Sequence, residues 1–78
     1  ISKLGELALQ EGNHFEAVKQ FREAADQGYP RAENFLGICY AEGLGVQRNL
    51  RSAEEWFRRS DAQGDPDARV LMKEYLKI

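Results

Sequence analysis

The side chains in this sequence that could do chemistry are best judged by the company they keep. His14 could bind a metal ion or move a proton, but either role needs a second ligand or a carboxylate brought close, and its neighbour is Asn13 in a predicted turn. Cys39 is the single thiol. It falls on an apolar stripe, where a thiol behaves as a small hydrophobic group, so it reads as packing and not as a nucleophile. Gly43 and Gly45 resemble a phosphate loop only in composition, since no Lys-Ser/Thr pair follows them and no strand precedes them. The cluster Arg48, Arg51, Arg58 and Arg59 offers charge to an anion or an acidic protein, yet Glu54 and Glu55 stand four residues before Arg58 and Arg59. That is the order favoured for exposed helical ion pairs, and it predicts a solvated face that pairs with itself. Tyr40, Trp56, Phe57 and Tyr75 could form a base-stacking platform, but each lies at a periodic core position. Without an arranged nucleophile, acid pair or metal set, the sequence predicts no enzyme and no cofactor.

The elements that position these residues are written as a repeat. Residues 13 to 42 align without a gap on residues 49 to 78, a shift of 36. The shift pairs Asn13 with Asn49, Ala17 with Ala53, Phe21 with Phe57 and Arg22 with Arg58. It also pairs Gln27 with Gln63, Gly28 with Gly64, Pro30 with Pro66 and Ala32 with Ala68. Leu4-Gly5 matches Leu36-Gly37 at a shift of 32, so the second copy carries about four extra residues, around Gly43-Leu44-Gly45-Val46. Apolar residues spaced three and four apart predict five amphipathic helices. Their stripes are Ile1, Leu4, Leu7, Ala8; Phe15, Val18, Phe21, Ala24, Ala25; Ala32, Phe35, Leu36, Cys39, Tyr40; Leu50, Ala53, Trp56, Phe57, Ser60; and Ala68, Leu71, Met72, Tyr75, Leu76. Asn13 with Glu16 reads as a capping box, and Asn49 repeats the cap. Gly28 and Gly64 can close a helix in the left-handed conformation, and Pro30 and Pro66 suit the first turn of the next. Connections that short force successive helices to pack antiparallel, and stacking the pairs predicts an all-α solenoid with a right-handed superhelix.

The run Ala32-Glu33-Asn34-Phe35-Leu36-Gly37-Ile38-Cys39-Tyr40-Ala41-Glu42-Gly43, then Gly45-Val46, then Ala53 to Ser60 and Ala62-Gln63-Gly64-Asp65, strongly resembles one Sel1-like repeat. Residues 4 to 31 resemble the same family without the loop extension, which makes that unit closer in length to a tetratricopeptide repeat. The resemblance implies one domain over 1–78, with repeat 1 at 1–31, repeat 2 at 32–65 and a capping helix at 66–78. Met72-Lys73 stands where Leu36-Gly37 would recur, and Glu74 and Lys77 follow, so the outer face of the last helix is polar. A cysteine-rich branch of the family pins its repeats with paired cysteines, which a lone Cys39 cannot do. What the resemblance implies about function is scaffolding: members are adaptors that assemble protein complexes.

Composition agrees with a thin, packed, soluble domain. Of 78 residues, 42% are hydrophobic and 31% charged, a globular balance. The formal net charge of −2 supplies no excess of positive charge for nucleic acid or an acidic membrane. No run of about 18 apolar residues appears, so no membrane insertion is expected, and compartment is undetermined. The chain begins at Ile1 without a signal-peptide pattern, as expected of a piece cut from a longer protein. The first helix of each repeat faces the concave side of such a solenoid. Its non-core flank, Ser2, Glu6, Leu9 and Gln10 in the first repeat and Asn34, Ile38, Ala41 and Glu42 in the second, is then the expected floor of a partner-binding groove. Leu9 and Ile38 would supply apolar contacts, and Glu6, Gln10, Asn34 and Glu42 polar ones. The expected function is a protein-interaction module holding a partner peptide or protein segment. The alternative is a structural spacer, or a self-association segment forming a weak homodimer, with no ligand of its own.

Overall fold

A computed structural model describes residues 12–77, so the first predicted helix lies outside the described residues. Among the described residues four helices follow one another: α1 His14–Asp26, α2 Pro30–Glu42, α3 Leu50–Ala62 and α4 Pro66–Leu76. Among the described residues there is no strand.

The predicted boundary chemistry is present at both copies. Asn13 Oδ1 accepts from the Glu16 N–H at 3.1 Å, and Asn49 Oδ1 from the Ser52 N–H at 3.1 Å. Only the Asn13 half of the expected capping box forms, because Glu16 Oε1 accepts from Gln20 Nε2 at 2.9 Å, one turn along its own helix. At the far ends, Gly28 and Gly64 adopt φ of 88° and 85°. The chain closes there with paired bonds, Gly28 N–H to Ala25 O and Tyr29 N–H to Ala24 O, then Gly64 N–H to Asp61 O and Asp65 N–H to Ser60 O. Pro30 and Pro66 open the next helices.

Hydrogen bonds fix the helix directions. Ser60 Oγ, late in α3, donates to the carbonyl of Pro30 at the start of α2 at 3.2 Å, and Gln63 Nε2 donates to Glu33 Oε1 at 2.9 Å. The Asn49 N–H, just before α3, donates to Tyr40 O near the end of α2 at 2.9 Å. These ties make α2 and α3 antiparallel. The Tyr75 hydroxyl, at the end of α4, donates to Glu42 Oε2 at the end of α2, so α2 and α4 run side by side in the same direction.

Among the described residues two clusters form the core. One joins Ala17, Val18, Phe21 and Ala25 of α1 to Ala32, Leu36 and Cys39 of α2, with Phe21 stacked on Phe35 at 4.8 Å between ring centroids. The other gathers Ala41, Ala53, Phe57 and Met72. Tyr40 packs against both, and Trp56 of α3 reaches back to the first, filling the seam between repeats. Gly37 lets α3 approach closely: a Cβ there would sit 2.5 Å from Phe57 Cε1. The extra loop also packs inward, with Leu44 and Val46 against the first cluster.

Some expected positions differ. Phe15 is 81% exposed. At 100° per residue it points roughly 100° away from the centre of the face made by Ala17, Val18, Phe21 and Ala25, which is too far round to share it. Ala41, expected on the groove floor, is buried in the second cluster, because α2 has neighbours on several sides. Glu54 pairs with Arg58 at 2.7 Å as predicted, whereas the Arg59 guanidinium lies 4.7 Å over the Trp56 ring. The π face and a neighbouring carboxylate compete for the same cation there.

Candidate functional site

The parallel arrangement of α2 and α4 leaves a furrow between them, with a volume of about 650 Å³. Phe35 and Ile38 of α2 and Val70 and Leu71 of α4 line its apolar part. Val70 is 54% exposed, and Ile38 is half-buried, one side packed on the second core cluster and the other open to the furrow. The polar lining is Arg31 and Asn34 from α2 and Asp65, Asp67 and Glu74 from the last turn and α4.

Each polar group has a distinct local reason for its place. Asp65 is the N-cap of α4, its Oδ1 accepting the Asp67 N–H at 2.8 Å. Asp67 and Glu74 lie seven residues, or about two turns, apart on α4, which places them on one side of the helix roughly 10 Å apart along its axis. Arg31 lies 5.6 Å over the Phe35 ring. Asn34 is 6% exposed, and its Oδ1 has no hydrogen-bond partner. Among the described residues it is the buried side-chain oxygen left without a hydrogen-bond partner, at the edge of an apolar furrow.

Of the residues expected from the sequence, Asn34 and Ile38 line this furrow together. Glu42 does not. It stands beyond the furrow, one turn after Ile38, where its carboxylate accepts from Tyr75. Burial and that bond push the Tyr75 phenol up to about 12. Glu6, Leu9 and Gln10 lie outside the described residues. The α4 wall was missed, although the shift of 36 maps Asn34 onto Val70 and Ile38 onto Glu74. The reasoning that selects two groove positions on α2 therefore selects their counterparts on α4.

The remaining candidates for chemistry are structural. Cys39 is 1% exposed, and burial, helped by the Glu42 charge, pushes its thiol up to about 11, away from the reactive thiolate. Glu33 is buried beside α3, and desolvation holds its carboxyl above the usual range against the opposing Gln63 hydrogen bond and Arg59 charge. Among the described residues no three His, Cys, Asp or Glu side chains gather where a metal ion could sit, and no helix is long and apolar enough to cross a membrane.

The chain is similar to several regulatory or binding proteins. It is 40% identical over 62 residues to "DAP3-binding cell death enhancer 1" of Rattus norvegicus, covering 80% of this chain and 12% of that protein. It is 34% identical over 70 residues to "Chitin synthase regulator SKT5" of Saccharomyces cerevisiae, covering 90% of this chain and 10% of that protein. It is 32% identical over 62 residues to "Chitin synthase regulatory factor 3" of Schizosaccharomyces pombe, covering 80% and 7%. The chain thus spans about a tenth of the length of the curated relatives it matches. No solved structure shows a significant match. The Sel1 repeat matches twice in succession, over residues 3–29 and 30–65. With two tandem matches over most of its length and an all-helical fold of stacked pairs, the chain belongs to the Sel1 repeat family, whose members are non-catalytic modules that generally mediate protein–protein interaction.

Proposed function

We propose that this chain is a protein-binding module whose furrow between α2 and α4 is the concave face that receives a segment of a partner protein. The observation that carries the reading is Val70. It is an aliphatic residue more than half exposed, placed beside half-buried Ile38 and Leu71 in a furrow of about 650 Å³, a volume in the range of ligand-binding clefts. The names of the relatives support the same class of function, one being called DAP3-binding and the others regulators of chitin synthase. Glu6, Leu9 and Gln10 would extend the floor into the first repeat, and Glu42 with Tyr75 would mark its far end. Lys73 stands where Gly37 stands one repeat earlier, so α4 serves as a wall of the furrow and not as a close seat for another aromatic ring.

Panning a displayed random-peptide library on the immobilised 78-residue chain tests this. The expected result is a family of enriched peptides that bind the chain and fail to bind Val70→Asn, whose circular dichroism and melting match the parent. Enrichment that survives Val70→Asn moves the interface elsewhere. No enriched peptide at all favours the spacer or self-association alternative, which sedimentation equilibrium over a concentration series then separates.

A further inference from the structure

Two independent features of the furrow describe what it would hold. The first is Asn34, more than nine-tenths buried, part of the furrow lining, with Oδ1 unpartnered. Oδ1 lacks a donor and is closed off from water in the free fold, so the amide has to turn toward the furrow to meet one there. The second is charge. Three carboxylates, Asp65, Asp67 and Glu74, line the furrow against one guanidinium, Arg31. Asp65 caps α4 and Arg31 lies over the Phe35 ring; both keep their charge, so the lining is net negative, with Asp67 and Glu74 as the carboxylates set along α4. Those two stand at either end of the apolar stretch made by Val70 and Leu71. The pattern is acid, aliphatic, acid along one side of α4.

Resting on the protein-binding reading above, we propose that the occupant is a basic, aliphatic-centred segment of a partner protein. An aliphatic side chain of the segment sits on Ile38, Val70 and Leu71. Lysine or arginine residues two positions before and two after it pair with Asp67 and Glu74, since alternate side chains of an extended segment share a face and four residues span roughly 13 Å, within reach of carboxylates about 10 Å apart. An N–H of the segment donates to Asn34 Oδ1. Binding then supplies the hydrogen bond that the free fold lacks, so Asn34 is kept at a cost to stability for the sake of recognition.

The test uses the peptides enriched by panning. Their composition should show Lys or Arg flanking an aliphatic residue. A synthetic peptide from that set should bind Asp67→Asn/Glu74→Gln about tenfold more weakly and with a shallower dependence on salt, since two charge pairs are lost. Asn34→Val should bind more weakly yet melt at a higher temperature than the parent, because the change removes an unmet acceptor from the free protein and a hydrogen bond from the complex. A residue that only packs would not move those two readouts in opposite senses. Enriched peptides that are neutral or acidic, or equal affinity of Asn34→Val and the parent, would overturn this inference and leave the protein-binding reading standing. Failure to enrich any peptide would remove both.

Discussion

Gly37 of α2 lies directly under the ring of Phe57 of α3, so closely that a Cβ at position 37 would fall 2.5 Å from Cε1 and 2.7 Å from Cδ1 of that ring. The contact joins the two helices of the second repeat, and Phe57 is fully buried within its own cluster. Gly37→Ala should therefore destabilise the fold by about 1–3 kcal/mol despite the better helix propensity of alanine, because the ring has no room to retreat. Urea denaturation with a fixed slope and a lower midpoint would show it. An unchanged midpoint would mean that α3 can slide off α2 at little cost.

Phe57 and Trp56 are adjacent aromatics with different burdens. Phe57 is completely buried, while Trp56 is half-buried in the seam with Arg59 over its outer face. Phe57→Ala should cost about 3–5 kcal/mol, close to the whole stability of so small a domain, and Trp56→Ala nearer 2 kcal/mol. Comparing the two melts checks the ranking. Equal losses would contradict the partial exposure of the indole.

Glu33 gives the fold a pH dependence in a defined direction. Its folded carboxyl titrates above the ordinary value of 4.5, chiefly through desolvation. The folded protein therefore holds that proton more tightly than the unfolded chain does. The corresponding stability is fully present below 4.5 and is lost as pH rises through the folded pKa. Glu33→Gln keeps an oxygen for Gln63 and carries no charge to desolvate. Its melting temperature should match the parent in acid and exceed it at neutrality. A difference independent of pH would show that Glu33 is neutralised by its partners.

Cys39 should resist thiol reagents in the folded protein. Buried and pushed up to about 11, it offers almost no thiolate at pH 8, and the reagent has no path to it. Labelling should be slow in buffer and should accelerate across the urea transition in step with loss of helicity. Rapid labelling of the native protein would place the thiol at the surface.

The helix boundaries were legible because their signals are local: Asn13 and Asn49 as caps, Gly28 and Gly64 as stops, Pro30 and Pro66 as restarts. Each acts within a few residues and needs no tertiary context. Phe15 and Ala41 were misplaced because apolar spacing says which residues share a face and not how many neighbours the helix will have. Phe15 falls outside the face that α1 turns to α2 and stays in solvent, and α2, with α1, α3 and α4 around it, buries Ala41 and Asn34. The furrow was half legible. Asn34 and Ile38 followed from helix geometry, but reading residues 66 to 78 as a terminal cap removed Val70, Leu71 and Glu74 from view. Those residues become a wall only when α4 is laid parallel to α2.

The ties between α2 and α3, Ser60 to Pro30 and Gln63 to Glu33, span thirty residues each, and the longest side-chain hydrogen bond among the described residues, Tyr75 to Glu42, spans thirty-three. Among the described residues the packed helices are neighbours or next-but-one neighbours along the chain, the local pattern of helical repeat stacks. The α2–α3 pair, which shares the most extensive contact, is the natural nucleus, with α1 and α4 adding to its two sides. A pulling force applied at Asn13 and Leu76 would meet the same order reversed, peeling α1 and α4 first and leaving α2 clasped to α3 until last.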